Sequence, residues 1–426
     1  MKVLVLGPGG REHAIIRALL KDPAVTQVHS APGNAGIAQD VPVYPIDANN
    51  PQEALALAQD LAADLVVIGP EAPLVAGVSD TLREAGFPVF GPSKAAALLE
   101  GSKAFAKEVM AAAQVPTAQA HLATNQEEAE AALAAFGAPY VVKDDGLAAG
   151  KGVVVTEDYD QALAHALACF KAGGSVVIEE YLDGPEVSLF VISDGKTCLP
   201  LSPAQDFKRI FDQDKGPNTG GMGAYTPLPW LPEGFVEEVI ERVAQPTVDE
   251  MARRGTPFVG VLYCGLAATS QGIRVIEFNA RFGDPETQAV LARLKTPLGG
   301  LLLAAARGDL AEDLTLDWDP RYAVDVVMAA QNYPDTPRKG DIISGLEQAR
   351  ALPGVQVDHA GTVAEGQLIR TAGGRVLAVV ALGQTLAEAR EAAYAGVREI
   401  SWEGAQYRSD IALAAVEGRI QLPSQP

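Results

Sequence analysis

Short apolar runs alternate with amphipathic stretches over about the first 95 residues. Val3 to Leu6, Val25 to Ser30, Leu65 to Ile68 and Val89 to Phe90 read as strands, with helices expected from about Glu12 and from Pro51. That alternation predicts βαβ units on a parallel sheet. An Ala-rich helix opens at Ser102 in LLEGSKAFAKEVMAAA. From about Pro116 to Gly195 the runs PYVVK, GVVVT, SVVIEEYL and VSLFVISDG bracket one helix near Asp158 to Lys171, which reads as a small α+β unit. Strands and helices continue from Pro200 to about Asp319, but GPNTGGMGAYTPLP is too rich in glycine and proline for a regular element and reads as a functional loop or a linker. After Tyr322, AVDVVMAAQ and GRVLAVVALG are expected strands and TLAEAREAAYAGVREI a helix.

At 426 residues the chain has room for two to four domains of about 100–200 residues each. Hydrophobic residues at 48% and charged residues at 20% describe a globular chain, and its apolar runs are shorter than the ~20 residues that span a bilayer. With 54 acidic and 33 basic residues, a net charge of −21, the basic footprint of a nucleic-acid binder is missing. The cysteines Cys169, Cys198 and Cys264 form no CxxC pair, so neither a disulfide framework nor a zinc site is indicated and a reducing compartment is expected. MKVLVLGPGGREH reads as strand and turn rather than a signal peptide, which points to the cytoplasm. The scattered His13, His29, His121, His165 and His359 make no HxxxH pair, and no GxSxG elbow is present, so zinc and nucleophilic hydrolysis are disfavoured.

Gly7, Gly9 and Gly10 follow a strand and precede a helix, where free amides attract anions. Glu12 stands where the dinucleotide fingerprint has its third glycine, and no acid ends the second strand, so NAD is disfavoured and a phosphate-bearing ligand is expected, with a plain βα turn as the simpler alternative. The second cluster, Lys143-Asp-Asp-Gly146-Leu-Ala-Ala-Gly150-Lys151-Gly152, is not a Walker loop: its glycine spacing is one short and Gly152 replaces the Ser/Thr. It joins strand to strand, hence a hairpin flap whose amides and two lysines can fold over polyphosphate. Ile178-Glu179-Glu180-Tyr181-Leu182, followed by Glu186, can offer main-chain groups to an adenine edge and a carboxylate to ribose hydroxyls, though alone it reads equally as a half-exposed strand. In VIEFNARFGDPE, period-two alternation puts Glu277, Asn279 and Arg281 on one face and Ile276, Phe278 and Ala280 on the other. Carboxylate and amide oxygens suit Mg²⁺ bridging phosphates, and the arginine suits an anionic group.

These blocks, with APGNAG, GPEAPLVAG, FGPSKAAALLEGSKAFAK, EEYLDGPEVS, GPNTGGMGAY, HAGT and TAGGRVLAVVALG, run collinearly over essentially the whole chain. In this the chain closely resembles the glycinamide ribonucleotide synthetases, an ATP-grasp family of purine biosynthesis. The resemblance implies ligation of glycine to 5-phospho-β-D-ribosylamine with ATP, through a glycyl phosphate, and Mg²⁺ or Mn²⁺ as cofactor. It implies an α/β and α+β multidomain fold: an N-terminal parallel-sheet (pre-ATP-grasp) domain over 1–100, a two-lobed ATP-grasp region over 101–320 with a mobile lid lobe at about 116–190, and a small C-terminal α/β domain over 321–426. Carried over by residue, Lys103 and Lys143 contact ATP phosphates and Gly146, Gly150, Lys151 and Gly152 belong to the closing loop. Glu179, Glu180, Tyr181 and Leu182 read adenine, and Glu186 the ribose. Glu277 and Asn279 match metal ligands, while Lys143, Arg281 and Asp284 face the reacting groups. Gly9, Gly10, Asn34, Glu71, Asp206, Lys208, Asn218, Gly220 and Gly221 are expected on the substrate side. Neither nucleic acid nor membrane is an expected partner, and monomer and homodimer both stay open.

Two positions depart from the family pattern. Asp144 stands where alanine is usual, and because alternation turns it away from Lys143 its carboxylate is expected to point away from the phosphates. Phe207 replaces a usual histidine, so no role of that histidine transfers. The competing readings are an NAD-dependent oxidoreductase, a non-catalytic nucleotide-binding regulator and, within the superfamily, a carboxylase or N5-carboxyaminoimidazole-forming ligase. The missing third glycine, the retained Lys103, Lys143, Glu277 and Asn279, and the complete EGSKAFAK, GPNTGGMGAY and EFNARFGDPETQ blocks argue against them in turn.

Overall fold

Four parallel strands open the chain in the order β2-β1-β3-β4: β1 Lys2–Gly7, β2 Gln27–Pro32, β3 Leu65–Ile68 and β4 Val89–Phe90. The apolar runs of β1, β3 and β4 are buried on both faces, as a parallel sheet covered by helices requires, while the edge strand β2 leaves Gln27 exposed. The Gly10–Leu20 helix leaves β1, and the Pro51–Leu61 helix starts where Asn50 accepts the amides of Gln52 and Glu53, with proline in its first turn. This computed structural model describes residues 1–146, 152–311 and 313–424. Among them no helix is long and apolar enough to cross a membrane.

A second, antiparallel sheet runs β5-β8-β6-β7, from β5 Ala120–Ala123, β6 Tyr140–Asp144, β7 Val153–Thr156 and β8 Val176–Glu179. Two helices cover it, Gln126–Phe136 and Tyr159–Lys171. Sequence reading supplied only the second. QEEAEAALAAF is capped by Asn125 and buries only Ala129, Ala132 and Leu133, so its apolar stripe is too thin to stand out. SVVIEEYL ends as a strand at Glu179, so Glu180 to Leu182 leave the sheet.

VSLFVISDG joins a different sheet. β9 Glu186–Asp194 pairs with β15 Val259–Thr269 in the order β10-β9-β15-β16, with β10 Cys198–Pro200 and β16 Gly272–Asn279. Within β16 the ladder runs Gly265↔Glu277 then Leu266↔Val275, leaving Ile276 as a bulge. The bulge reverses parity: Ile273 and Val275 before it and Phe278 and Ala280 after it enter one core, while Ile276 does not. Sequence alternation correctly grouped Glu277, Asn279 and Arg281 but wrongly set Ile276 with Phe278.

The glycine-rich segment is partly regular. β12 Arg209–Phe211 and β13 Lys215–Asn218 form a hairpin, and β14 Gly223–Thr226, lying inside GPNTGGMGAYTPLP, pairs with β17 Tyr322–Ala329. Tertiary pairing, which local composition does not report, makes this strand. The sheet β11-β14-β17-β21-β18 therefore combines β11 Gln205–Asp206 and β14 with β18 Val355–His359 and β21 Arg375–Gly383. A small hairpin, β19 Thr362–Glu365 with β20 Leu368–Thr371, completes the region. The Leu386–Glu399 helix, opened by a Thr385/Glu388 capping box, packs across β17 and β21.

Candidate active site

The flap is rooted on β6 and β7, whose last pair is Lys143↔Val153. Gly150 and Lys151 lie outside the described residues. Ser102 caps the Lys103–Ala112 helix by accepting the Phe105 amide, its hydroxyl donates to Asp145 (3.2 Å), and Lys103 Nζ donates to the Gly146 carbonyl (3.0 Å). Lys143 and Glu179 are both buried and paired at 2.7 Å, and Lys143 Nζ also donates to the bulge carbonyl of Ile276 (3.0 Å). Lys107, one helical turn beyond Lys103, reaches the other Glu179 oxygen at 3.0 Å. Glu179 thus anchors two lysines, and its side chain is unavailable to read a base. Glu180 exchanges hydrogen bonds with Gln119, while Tyr181 is 51% exposed at the exit of the strand. Asp144 turns to the opposite face of β6, toward Gly174 and Cys169, as alternation predicted.

On the facing sheet Glu277 lies over Gly265, where a Cβ would come within 3.2 Å of Glu277 Cγ, a tight approach that glycine relieves. Asn279 Nδ2 is 3.4 Å from Glu277 Oε1. Burial alone would raise the Glu277 carboxyl, but the ammonium groups of Lys208, Lys143 and Lys103 outweigh it and hold the group below its usual range. Lys208 pairs with Glu186 at 2.7 Å. Burial pushes Asp206 up to about 8, against Lys208 and reinforced by Glu286, Glu186 and Glu277. Lysines 69 to 174 positions away in sequence are thereby gathered round Glu277. Among the described residues no three His, Cys, Asp or Glu side chains form a metal cage. Glu277 and Asn279 are hard oxygen donors of the kind that hold Mg²⁺ together with substrate phosphates and water.

At the next turn Arg281 donates to Glu100 (2.8 Å), Glu71 (3.3 Å) and Asn279 (3.4 Å). Asp284 accepts from the Arg11 amide (3.2 Å) and Gln288 Nε2 (3.0 Å) and lies 3.4 Å from Arg375 Nη1. Burial would raise it, yet Arg375 and Arg11 keep it below the usual range. Arg375 also holds the carbonyls of Gly220 and Asp284 at 2.6 Å, and Tyr333 accepts the Gly220 amide at 2.8 Å. Gly221 packs against Pro285, and Asn218 Nδ2 is 3.4 Å from the Val153 carbonyl of the flap strand. Phe207 points away from Asp206 and Lys208, its ring 5.0 Å beneath the Arg408 guanidinium.

Three family models match in chain order: the phosphoribosylglycinamide synthetase N domain over residues 1–100, the ATP-grasp (A) domain over 101–287 and the C domain over 323–414. The chain belongs to the phosphoribosylglycinamide synthetase family. A phosphoribosylamine–glycine ligase of Streptomyces coelicolor is 63% identical over 417 residues, 97% of this chain and 99% of that one. The crystal structure of phosphoribosylamine–glycine ligase from Thermotoga maritima matches with a TM-score of 0.82 at 34% identity, covering 97% of this chain and 100% of that one. The biotin carboxylase domain of Hydrogenobacter thermophilus 2-oxoglutarate carboxylase, solved with MgADP, shares the fold at a TM-score of 0.69 and 18% identity, covering 95% of this chain and 91% of that one.

Within this synthetase fold, several expected substrate-side groups are already engaged inside the chain. The Gly9 amide donates to Glu12, and Gly10 packs against Gln288. Asn34 donates to the carbonyls of Pro8 and His359 and accepts the amides of Gly36 and Ile37, so its side chain holds two loops together. Sequence reading missed Lys107, Glu100, Arg11, Glu12, Glu286 and Arg375. Lys107 was legible as the i+4 neighbour of Lys103, and Glu286, which accepts from Ser188 and Tyr263, lay inside the recognised GDPE block. Arg375 reaches Asp284 across 91 positions, which no local pattern reveals.

Proposed function

We infer that the chain joins glycine to 5-phosphoribosylamine with cleavage of ATP to ADP and phosphate, the phosphoribosylamine–glycine ligase step of purine biosynthesis. The observation that carries the chemistry is the Glu277–Asn279 oxygen pair ringed by Lys103, Lys143 and Lys208, with Lys143 at the end of the β6–β7 pairing. Phosphoryl transfer needs charge neutralisation and alignment more than a protein nucleophile. The cysteines do not offer one: burial pushes the Cys198 thiol up to about 12 and Cys264 higher still.

The glycine carboxylate attacks the γ-phosphorus of ATP, the bond to ADP breaks, and glycyl phosphate forms. The ribosylamine nitrogen then attacks the acyl carbon, phosphate leaves with the C–O bond electrons, and the new amide nitrogen loses a proton. Lys103, Lys143, Gly146, Gly150, Lys151 and Gly152 hold the phosphates and exclude water from the acyl phosphate. Glu180 to Leu182 meet the base and Glu186 the ribose, while Glu179 orients lysines. Glu277 and Asn279 would hold Mg²⁺, or Mn²⁺, which when bound would supply further charge neutralisation. Arg281 and Asp284 border the reacting groups, and Glu71, Asp206, Lys208, Asn218, Gly220 and Gly221 line the substrate side, with Gly9, Gly10 and Asn34 shaping its wall. The enzyme works on small molecules in the cytoplasm, as monomer or homodimer, with neither nucleic acid nor membrane as partner. ADP release is measured with Mg²⁺-ATP while each substrate is omitted in turn. A requirement for both, with one glycinamide ribonucleotide per ADP, is expected; equal release without either overturns the reading.

A further inference from the structure

The turn after β1 lies at the carboxyl end of a parallel sheet beside β3, the crevice in which open α/β sheets take ligands and helix amides take anions. Here the anion is part of the chain. Glu12 is fully buried, its Oε2 accepts the Gly9 amide at 2.6 Å and its Oε1 accepts Arg11 Nε at 2.6 Å. Gly7, Gly9 and Gly69 surround that carboxylate. A Cβ on Gly7 would come within 2.7 Å of Glu12 Cδ, one on Gly9 within 2.6 Å of Oε2, and one on Gly69 would overlap Oε1. The glycines therefore make room for Glu12, and the helix's anion position is filled from within.

We propose that Glu12 is a positioning residue: an internal anion that fixes Arg11, and through Arg11 the Arg281–Pro285 loop, for the ligation step. Arg11 Nη1 donates to the Phe282 carbonyl at 3.0 Å, and the Arg11 amide donates to Asp284 Oδ2 at 3.2 Å. One guanidinium, aimed by Glu12, thus ties the first helix to the loop that carries both Arg281 and Asp284. Without the carboxylate, a buried guanidinium and the Gly9 amide lose their partner, and Arg11 is no longer held to one direction. The catalytic consequence rests on the reading of that loop given under the proposed function.

The test uses the full chain with Glu12→Ala and the near-isosteric Glu12→Gln. Glu12→Gln should lower kcat by about 100-fold, the scale of a roughly 1 Å misplacement, with the ATP KM held within about twofold. Glu12→Ala leaves a vacancy shaped for a small carboxylate, so formate should raise its melting temperature and restore part of its turnover, while leaving the wild type unchanged. The melting readout is independent of the reaction, so it separates this proposal from the assigned activity, which wild-type ADP release tests by itself. Wild-type kcat in Glu12→Gln overturns the proposal, as does a folded Glu12→Ala that formate neither stabilises nor reactivates. Should Glu12→Ala not fold, the Glu12→Gln kinetics decide.

Discussion

Replacing Glu179 by glutamine removes the one charge that two ammonium groups share, Lys143 buried and Lys107 half-buried. At 2.7 and 3.0 Å each attraction is about 6 kcal/mol at an effective dielectric of about 20, and desolvation takes back several kcal/mol per ion. Truncating one partner of such a buried arrangement costs about 3–5 kcal/mol. The Lys107 side chain is 16% exposed and both lysines keep carbonyl partners in Ala118 and Ile276, which favours the lower end. Of the usual ~5–15 kcal/mol of native stability this is a large share, and it falls at one place. Lys143 and Glu179 belong to the β5–β8 sheet, whereas Lys107 and Ile276 belong to the body, so the substitution loosens the lobe that carries the flap. Hydrogen exchange should rise in β6 and β8 before it rises in β15. Mg²⁺-ATP should then stabilise Glu179→Gln more than it stabilises the wild type, because in the proposed site the phosphates supply counter-charge to Lys143. Thermal melting with and without nucleotide checks this. A loss below about 1 kcal/mol, or an equal or smaller nucleotide shift, would refute the argument that Glu179 anchors both lysines.

Glu277→Ala should cut turnover by orders of magnitude with the fold retained, since the proposed cation site loses one of its two oxygen donors; near-wild-type ADP release would sink that role. Asp144→Ala should leave the ATP KM within about twofold, because the carboxylate faces Gly174 rather than Lys143, and steady-state kinetics in ATP decide it. His359 gives a pH signature. Burial, with His13, Arg350 and Arg17 against Asp40, pushes it down to about 2, and Arg350 donates to its Nε2. A folded-state value below the unfolded one, about 6.5, means that the unfolded chain binds the extra proton. Stability from this group is therefore complete above pH ~6.5 and falls by about 1.4 kcal/mol per pH unit below it, or roughly 2 kcal/mol at pH 5. His359→Gln should flatten that slope in urea titrations between pH 7 and 5.

What the sequence carried and what it did not divide along the range of the interaction. Leu65–Ile68 and Val89–Phe90 are strands to the residue, and the helix after Asn50 begins at Pro51, because burial and capping are written within a few positions. The two glycine clusters were equally visible, but composition did not show that the first already holds an anion of its own. That anion is Glu12, whose carboxylate turns back onto Gly9. β14 was hidden for the complementary reason: GAYT has little strand character beside GGMG, and it becomes a strand by pairing with β17 about 100 residues later.

The bulge at Ile276 shows how one extra residue can build a site that alternation alone would not. Before it, Ile273 and Val275 enter the core; after it, Phe278 and Ala280 do, so Glu277 and Asn279 emerge on the face that looks toward the lysines. With unbroken alternation in the register of Val275, Glu277 would have been directed into the core, where an unpaired carboxylate is costly. The backbone carbonyl of the bulge residue Ile276 is the one Lys143 takes at 3.0 Å. Bulge, lysine and oxygen pair are thus one device: the defect that turns Glu277 outward also supplies the acceptor that holds the lysine of the opposite lobe beside it. A strand without the bulge loses both together, which explains why a substitution confined to Glu277 tests the chemistry while leaving Lys143 in place.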